Sequence, residues 1–157
     1  MKNLCTLAIS VCVTLSSITA FAQQQRIPIN EPDYNKPRLF QNLPDFIPVT
    51  IDRLNALLNT ELSRPVNTNL SEKAELPFAG QVVSRVSKEG NKIQSVVVKS
   101  SNFNGATLTI LKITAEDGTV TYSGRLISFQ HGDAYVLKNE DGHYSLVKKD
   151  FYELVNE

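Results

Sequence analysis

The fold is decided by residues 78–149, which read FAGQVVSRVSKEGNKIQSVVVKSSNFNGATLTILKITAEDGTVTYSGRLISFQHGDAYVLKNEDGHYSLVKK. Apolar and polar side chains alternate in this stretch, as they do in strands with one buried face, over residues 78–86, 93–99, 106–110, 119–129, 134–138 and 143–148. Turns such as Asn104-Gly105 and Asp141-Gly142 separate the runs, because glycine adopts positive φ without steric cost. The pattern predicts an all-β fold, a small antiparallel meander of about six strands, barrel-like or sandwich.

Two details of this stretch carry further expectations. Val96, Val97 and Val98 place apolar side chains on both faces of one strand, which is typical of a central strand. Gly80 and Gly124 lie inside predicted strands, where glycine often marks a bulge or a sharp bend.

The first 22 residues have the three parts of a secretory signal peptide. Lys2 supplies the positive charge, residues 4–15 form the apolar core, and Ala20-Phe21-Ala22 forms the cleavage site. The apolar core is too short to span a bilayer. We therefore expect cleavage after Ala22, a periplasmic or secreted bacterial protein, and no transmembrane anchor in the mature chain.

Cysteine content and net charge exclude several kinds of function. Cleavage would remove both Cys5 and Cys12, leaving no disulfide, thiol nucleophile or thiolate metal site. A small secreted domain without disulfides suits a bacterial periplasm or exterior. Cleavage would also remove Lys2 and leave 15 basic against 16 acidic residues (16 minus 1 against 16), a formal net charge of −1, so the composition indicates no electrostatic footprint for nucleic acid or an anionic membrane.

The rest of the chain divides into segments of different character. We expect a signal peptide at 1–22, a Pro-rich extended leader at 23–48, an amphipathic helix packed on the core at 49–64, a linker at 65–76 and the β-domain at 77–157. A capping-box-like start at Asp150 predicts a short C-terminal helix.

The second part of the leader contains large apolar residues, including Leu39, Phe40 and Phe46. These residues favour docking on the β-domain, whose small core needs additional cover. The alternative is that residues 39–47 form a linear docking motif for a partner protein.

Catalytic motifs are absent from the sequence. No serine lies in a Gly-x-Ser-x-Gly elbow, and neither a phosphate-binding glycine loop nor a dinucleotide fingerprint is present. His131 and Asp133 are weak candidates for metal ligands, but their spacing matches no ligand motif. The sequence therefore predicts a protein that is not an enzyme and that uses no cofactor.

The features that remain suit binding. Phe103 lies between Asn102 and Asn104 in a predicted loop, where an exposed aromatic ring beside polar amides is suited to hold a ligand, although the ring can also fold inward. The leading hypothesis is a secreted or periplasmic β-domain that binds a protein or an envelope component. The alternative is a protease-regulating module, like a pro-domain or an inhibitor, that acts through residues 39–47.

Two stretches together resemble small secreted bacterial β-domain proteins with no assigned activity. They are Arg38-Leu39-Phe40-Gln41-Asn42-Leu43-Pro44 and Tyr122-Ser123-Gly124-Arg125-Leu126-Ile127-Ser128 followed by His131-Gly132-Asp133-Ala134-Tyr135. This resemblance implies no functional residues. The order of strands, glycine turn and final tyrosine strand is also distantly similar to pro-domains of secreted metalloproteases, but no cysteine-switch motif is present.

Overall fold

The computed structural model describes residue 33, residues 35–71 and residues 76–155. The predicted signal peptide, both cysteines and most of the first part of the predicted leader lie outside these residues.

The described chain forms one antiparallel sheet with two short helices. Its elements are β1 (Phe46–Val49), α1 (Ile51–Asn59), β2 (Pro65–Asn69), β3 (Pro77–Lys88), β4 (Ile93–Ser100), β5 (Thr107–Thr114), β6 (Val120–Ile127), β7 (Asp133–Glu140), β8 (His143–Asp150) and α2 (Phe151–Val155). The strand order is β1-β8-β7-β6-β5-β4-β3-β2. Because β1 and β2 lie at opposite edges, α1 connects the two edges of a curled, half-barrel sheet.

The antiparallel all-β class is confirmed, whereas the expectation of about six strands is wrong because the sheet has eight. The two additional strands, β1 and β2, come from segments that the sequence assigned to the leader and the linker. Each contains a proline, Pro48 or Pro65, and proline removes a backbone donor from the ladder. Such strands are tolerated at an edge, which is where both lie.

The core fills the inner face of the sheet, which we define as the face toward α1. Leu54, Leu57 and Leu58 of α1 are buried in the same cluster as Val98 and Leu108 of the central strands. The helix ends at Asn59, before the predicted end of the amphipathic segment at residue 64. Its apolar stripe therefore supplies the additional burial that a small single sheet requires.

Gly80 and Gly124 allow close approach of neighbouring strands. The irregularity in β3 falls between Val82 and Ser84, and not at Gly80 itself. A Cβ atom on Gly80 would lie 2.4 Å from the carbonyl oxygen of Lys99, so no side chain fits there without a backbone shift.

We expect Gly124→Ala to lower the free energy of unfolding by about 2 kcal/mol, the usual cost of overpacking. The added Cβ would lie 2.6 Å from the carbonyl oxygen of Thr109 and 2.7 Å from Cδ1 of Ile110. Urea denaturation measures the loss, with the exposed neighbour Ser123→Ala as the control. Equal stability of the two variants would contradict the close approach.

Candidate functional site

Residues 38–45, which we call the strap, are anchored to the sheet by a buried carboxylate. Asp133 at the start of β7 is fully buried. Its Oδ1 accepts a hydrogen bond from the backbone N–H of Leu39 at 2.7 Å, and its Oδ2 accepts one from Phe40 at 2.8 Å. A buried carboxylate requires such donors, and here both oxygens of Asp133 accept hydrogen bonds from the backbone of the strap.

Two further side chains from neighbouring strands hold the other end of the strap. The hydroxyl of Tyr135 donates to the carbonyl oxygen of Pro44 at 2.5 Å. Burial raises the pKa of Tyr135, so its hydroxyl remains a donor at neutral pH. Lys148, opposite Tyr135 on β8, donates to the carbonyl oxygen of Leu43 at 2.5 Å and forms an ion pair with Asp45 at 3.0 Å.

The apolar residues of this segment divide between the core and the surface. Phe40 is fully buried, and its ring centroid lies 5.2 Å from that of Tyr135 and 5.5 Å from that of Phe103. Leu39 packs against the same core, whereas Phe46 remains 52% exposed. Of the three candidates from this segment, the structure leaves Phe46 accessible to a ligand.

The loop containing Phe103 is tied to the start of β3. The side chain of Asn102 accepts a hydrogen bond from the N–H of Ala79 at 3.0 Å and donates one to the carbonyl oxygen of Pro77 at 2.7 Å. The Phe103 ring folds inward and lies half-buried against the core, while Asn104 is exposed. Asn102 thus holds the loop by hydrogen bonds, and Phe103 packs it against the core.

His131 and Asp133 do not converge on a metal-binding position. Nδ1 of His131 lies 2.8 Å from Oγ of Ser128, with which it shares a hydrogen bond. Asp133 directs both oxygens to the strap. Within residue 33, residues 35–71 and residues 76–155, no three His, Cys, Asp or Glu side chains are grouped as metal ligands would be.

The outer face of the sheet, opposite α1, carries apolar side chains that the described chain leaves uncovered. Helix α2 covers only one part of this face, where Phe151 packs on Ile127 and Ala134. The uncovered residues form what we call the apolar patch, which consists of Val86 of β3, Ile93 of β4, and Leu111 and Ile113 of β5.

Strand register makes the apolar patch continuous. Ile93 lies opposite Ile113, and Ser95 lies between Val86 and Leu111 across the three strands. Val86 is 38% exposed and Ile113 is 44% exposed. Ile93 and Ile113 are directly opposed and contact each other across the strands, and Val86 and Leu111 are diagonal neighbours of Ile93 on either side of it.

The charged residues at the paired positions of the outer face of β3–β6 are all basic. Lys88, Lys99 and Arg125 have side chains on the outer face of β3, β4 and β6, and all three are exposed. The positions that share this face on β3–β6 include no acidic residue. In the described part of the chain, no ion pair involves any of these three cations.

Sequence reasoning did not identify this surface, although one signal was present. Val97 makes β4 apolar on both faces, a pattern that predicted a central position in the sheet. The position is central, yet the Val97 side chain is only half-buried on the outer face. A strand that is apolar on both faces of a one-layer sheet therefore indicates a contact surface.

No family model, curated protein or solved structure matches the chain. Among the residues that the structure describes, no helix has the length and apolar character needed to cross a membrane.

Proposed function

We propose that this protein is a secreted or periplasmic, non-enzymatic β-domain that binds a protein or an envelope component through the outer face of β3–β5. The observation that carries the proposal is the apolar patch of Val86, Ile93, Leu111 and Ile113. The predicted signal peptide supports the location, and the lack of catalytic motifs in the sequence supports a binding role.

The patch requires an explanation because antiparallel sheets with one solvated face usually place polar residues there. Contiguous exposed apolar surface on a soluble domain commonly marks an interaction site. Here Ile93, Leu111 and Ile113 occupy positions at which alternation alone would place polar side chains.

The edges of the sheet are less suited to binding than its face. Pro48 lies in β1 and Pro65 in β2, and proline on an edge strand hinders the addition of another strand. A partner is therefore expected to contact side chains of the outer face and not the backbone of an edge.

Site-specific photo-crosslinking tests this proposal. We would replace Ile113 with benzoylphenylalanine, irradiate the protein with the envelope fraction of the producing cell, and compare the adducts with those of a control. Leu62 is the matched control, because it is 59% exposed against 44% for Ile113 and lies in the connection between α1 and β2. We expect adducts from position 113 and few from position 62.

Equal adduct formation at both positions, or none at position 113 in a correctly folded protein, would contradict the proposed surface. Circular dichroism of both variants establishes the fold. The comparison uses the same reagent at two exposed aliphatic sites, so nonspecific labelling affects both equally.

The protease-regulating alternative requires residues 39–47 to be free for a partner. In the structure, Phe40 and Ile47 are fully buried, and Asp133, Tyr135 and Lys148 hold the backbone of the strap. These contacts favour the docking of this segment on its own sheet, so we place the binding surface on the outer face.

A further inference from the structure

We infer that the outer face of β3–β6 docks on an anionic lipid surface. This inference rests on the proposed function and names the envelope component that the face would bind. It depends on the juxtaposition of the apolar patch with Lys88, Lys99 and Arg125.

The first argument is the separation of charge within a chain of zero formal net charge. The basic residues of this face have no acidic neighbour among the paired positions of β3–β6. Acidic residues instead lie in turns, as Glu89 and Asp117 do, or on α1, as Asp52 does. An anionic surface that approaches the outer face would therefore meet positive charge.

The second argument is the spacing of the cations. Lys99 and Arg125 lie on β4 and β6, two strand spacings apart and offset by two residues in register, which together is about 12 Å. Lys88 lies at the other end of the apolar patch, on β3. Each exposed charge acts over about one Debye length, roughly 8 Å at physiological ionic strength, so an extended anionic surface that contacts the face would meet each of these cations separately.

The third argument is the kind of residue that the face presents. Protein interfaces are enriched in aromatic residues, Met and Arg, and depleted in Lys. The outer face of β3–β6 presents Val, Ile, Leu, Ser, Thr, Gln, Lys and a single Arg, Arg125, at its paired positions, without an aromatic residue. Aliphatic side chains beside lysines match an acyl–headgroup boundary, where apolar burial and attraction to anionic lipids combine.

Co-sedimentation of the purified protein with vesicles tests the inference. We expect binding to vesicles of phosphatidylethanolamine and phosphatidylglycerol, and little binding to vesicles of phosphatidylcholine alone. Increasing the ionic strength should weaken the binding, because surface potentials are screened by salt. This salt dependence needs no variant and does not depend on the folding of a mutant.

The double substitution Lys99→Gln and Arg125→Gln should weaken partitioning about 25-fold, since each cation near an anionic bilayer contributes about fivefold. The matched control is Arg53→Gln with Arg64→Gln, which removes the same charge from α1 and from the connection that follows it. We expect the control to bind within about twofold of the unmodified protein. An equal loss of vesicle binding in both variants would show that binding depends on the net charge of the protein and not on the outer face, and would overturn the inference.

Absence of vesicle binding together with position-specific protein adducts at Ile113 would overturn the lipid inference and leave the proposed function in place. Absence of both vesicle binding and adducts would overturn the two together. Equal binding to phosphatidylcholine vesicles would also overturn the inference, because the cations would then have no role.

Discussion

Asp133→Ala should lower the free energy of unfolding by about 3 to 5 kcal/mol, because it removes two charge-assisted hydrogen bonds and leaves two backbone donors without an acceptor. Those donors are the N–H groups of Leu39 and Phe40, at 2.7 and 2.8 Å from the carboxylate. Both Asp133 and Phe40 are fully buried, so water cannot replace the lost acceptor without opening the strap. Urea denaturation with an unchanged m-value would measure the loss as a lower midpoint.

Asp150→Ala is the matched control for this experiment. Asp150 lies opposite Asp133 in the β7–β8 register, but its carboxylate is half-exposed and pairs with Arg38 at 2.7 Å. Exposed ion pairs contribute little, and we expect a loss below about 1 kcal/mol. A loss below about 1 kcal/mol for Asp133→Ala as well would show that Asp133 does not anchor the strap.

Phe40→Ala should lower the free energy of unfolding by about 3 to 5 kcal/mol, the usual cost of removing a buried aromatic side chain. Its ring lies between those of Tyr135 and Phe103, and the cavity left behind would be lined by both. Phe46→Ala, with a ring that is 52% exposed, is the control and should cost about 1 kcal/mol or less. Thermal unfolding followed by circular dichroism would measure both variants.

The losses from Asp133→Ala and Phe40→Ala should not add. The carboxylate of Asp133 holds the N–H of Phe40, so either substitution releases the same segment. A double variant that loses clearly less than the sum would support one cooperative strap, since residues in contact couple energetically. Strict additivity would show that the ring and the backbone anchor act independently.

The sequence predicted the strands β3–β8 because their signal is local. Both signals, the alternation of apolar and polar residues and glycine turns such as Asn104-Gly105, can be recognised from a few residues that are adjacent in sequence. The edge strands were missed because β1 and β2 are short and contain Pro48 and Pro65, and because β1 forms through pairing with β8, which is distant in sequence.

The roles of the candidate site residues also depend on contacts with residues that are distant in sequence. The sequence predicts Asp133 only as a weak metal candidate, whereas its hydrogen-bond partner Leu39 lies 94 residues away. The sequence leaves the Phe103 ring either exposed or folded inward, and packing against Phe40 and Phe78 determines which occurs. No pattern in one sequence carries such long-range contacts.

The sequence by itself determined the antiparallel all-β class and the apolar character of β4 on both faces, since strand periodicity is encoded residue by residue. The tertiary structure alone decided between docking on the sheet and a free partner motif for residues 38–45, and placed Lys88, Lys99 and Arg125 on the outer face of β3–β6, whose paired positions include no acidic residue. Net charge sums over the chain, whereas the field at a surface depends on which side chains strand pairing brings to that surface. For this reason, a composition that indicated no attraction to anionic membranes is compatible with a basic, apolar outer face.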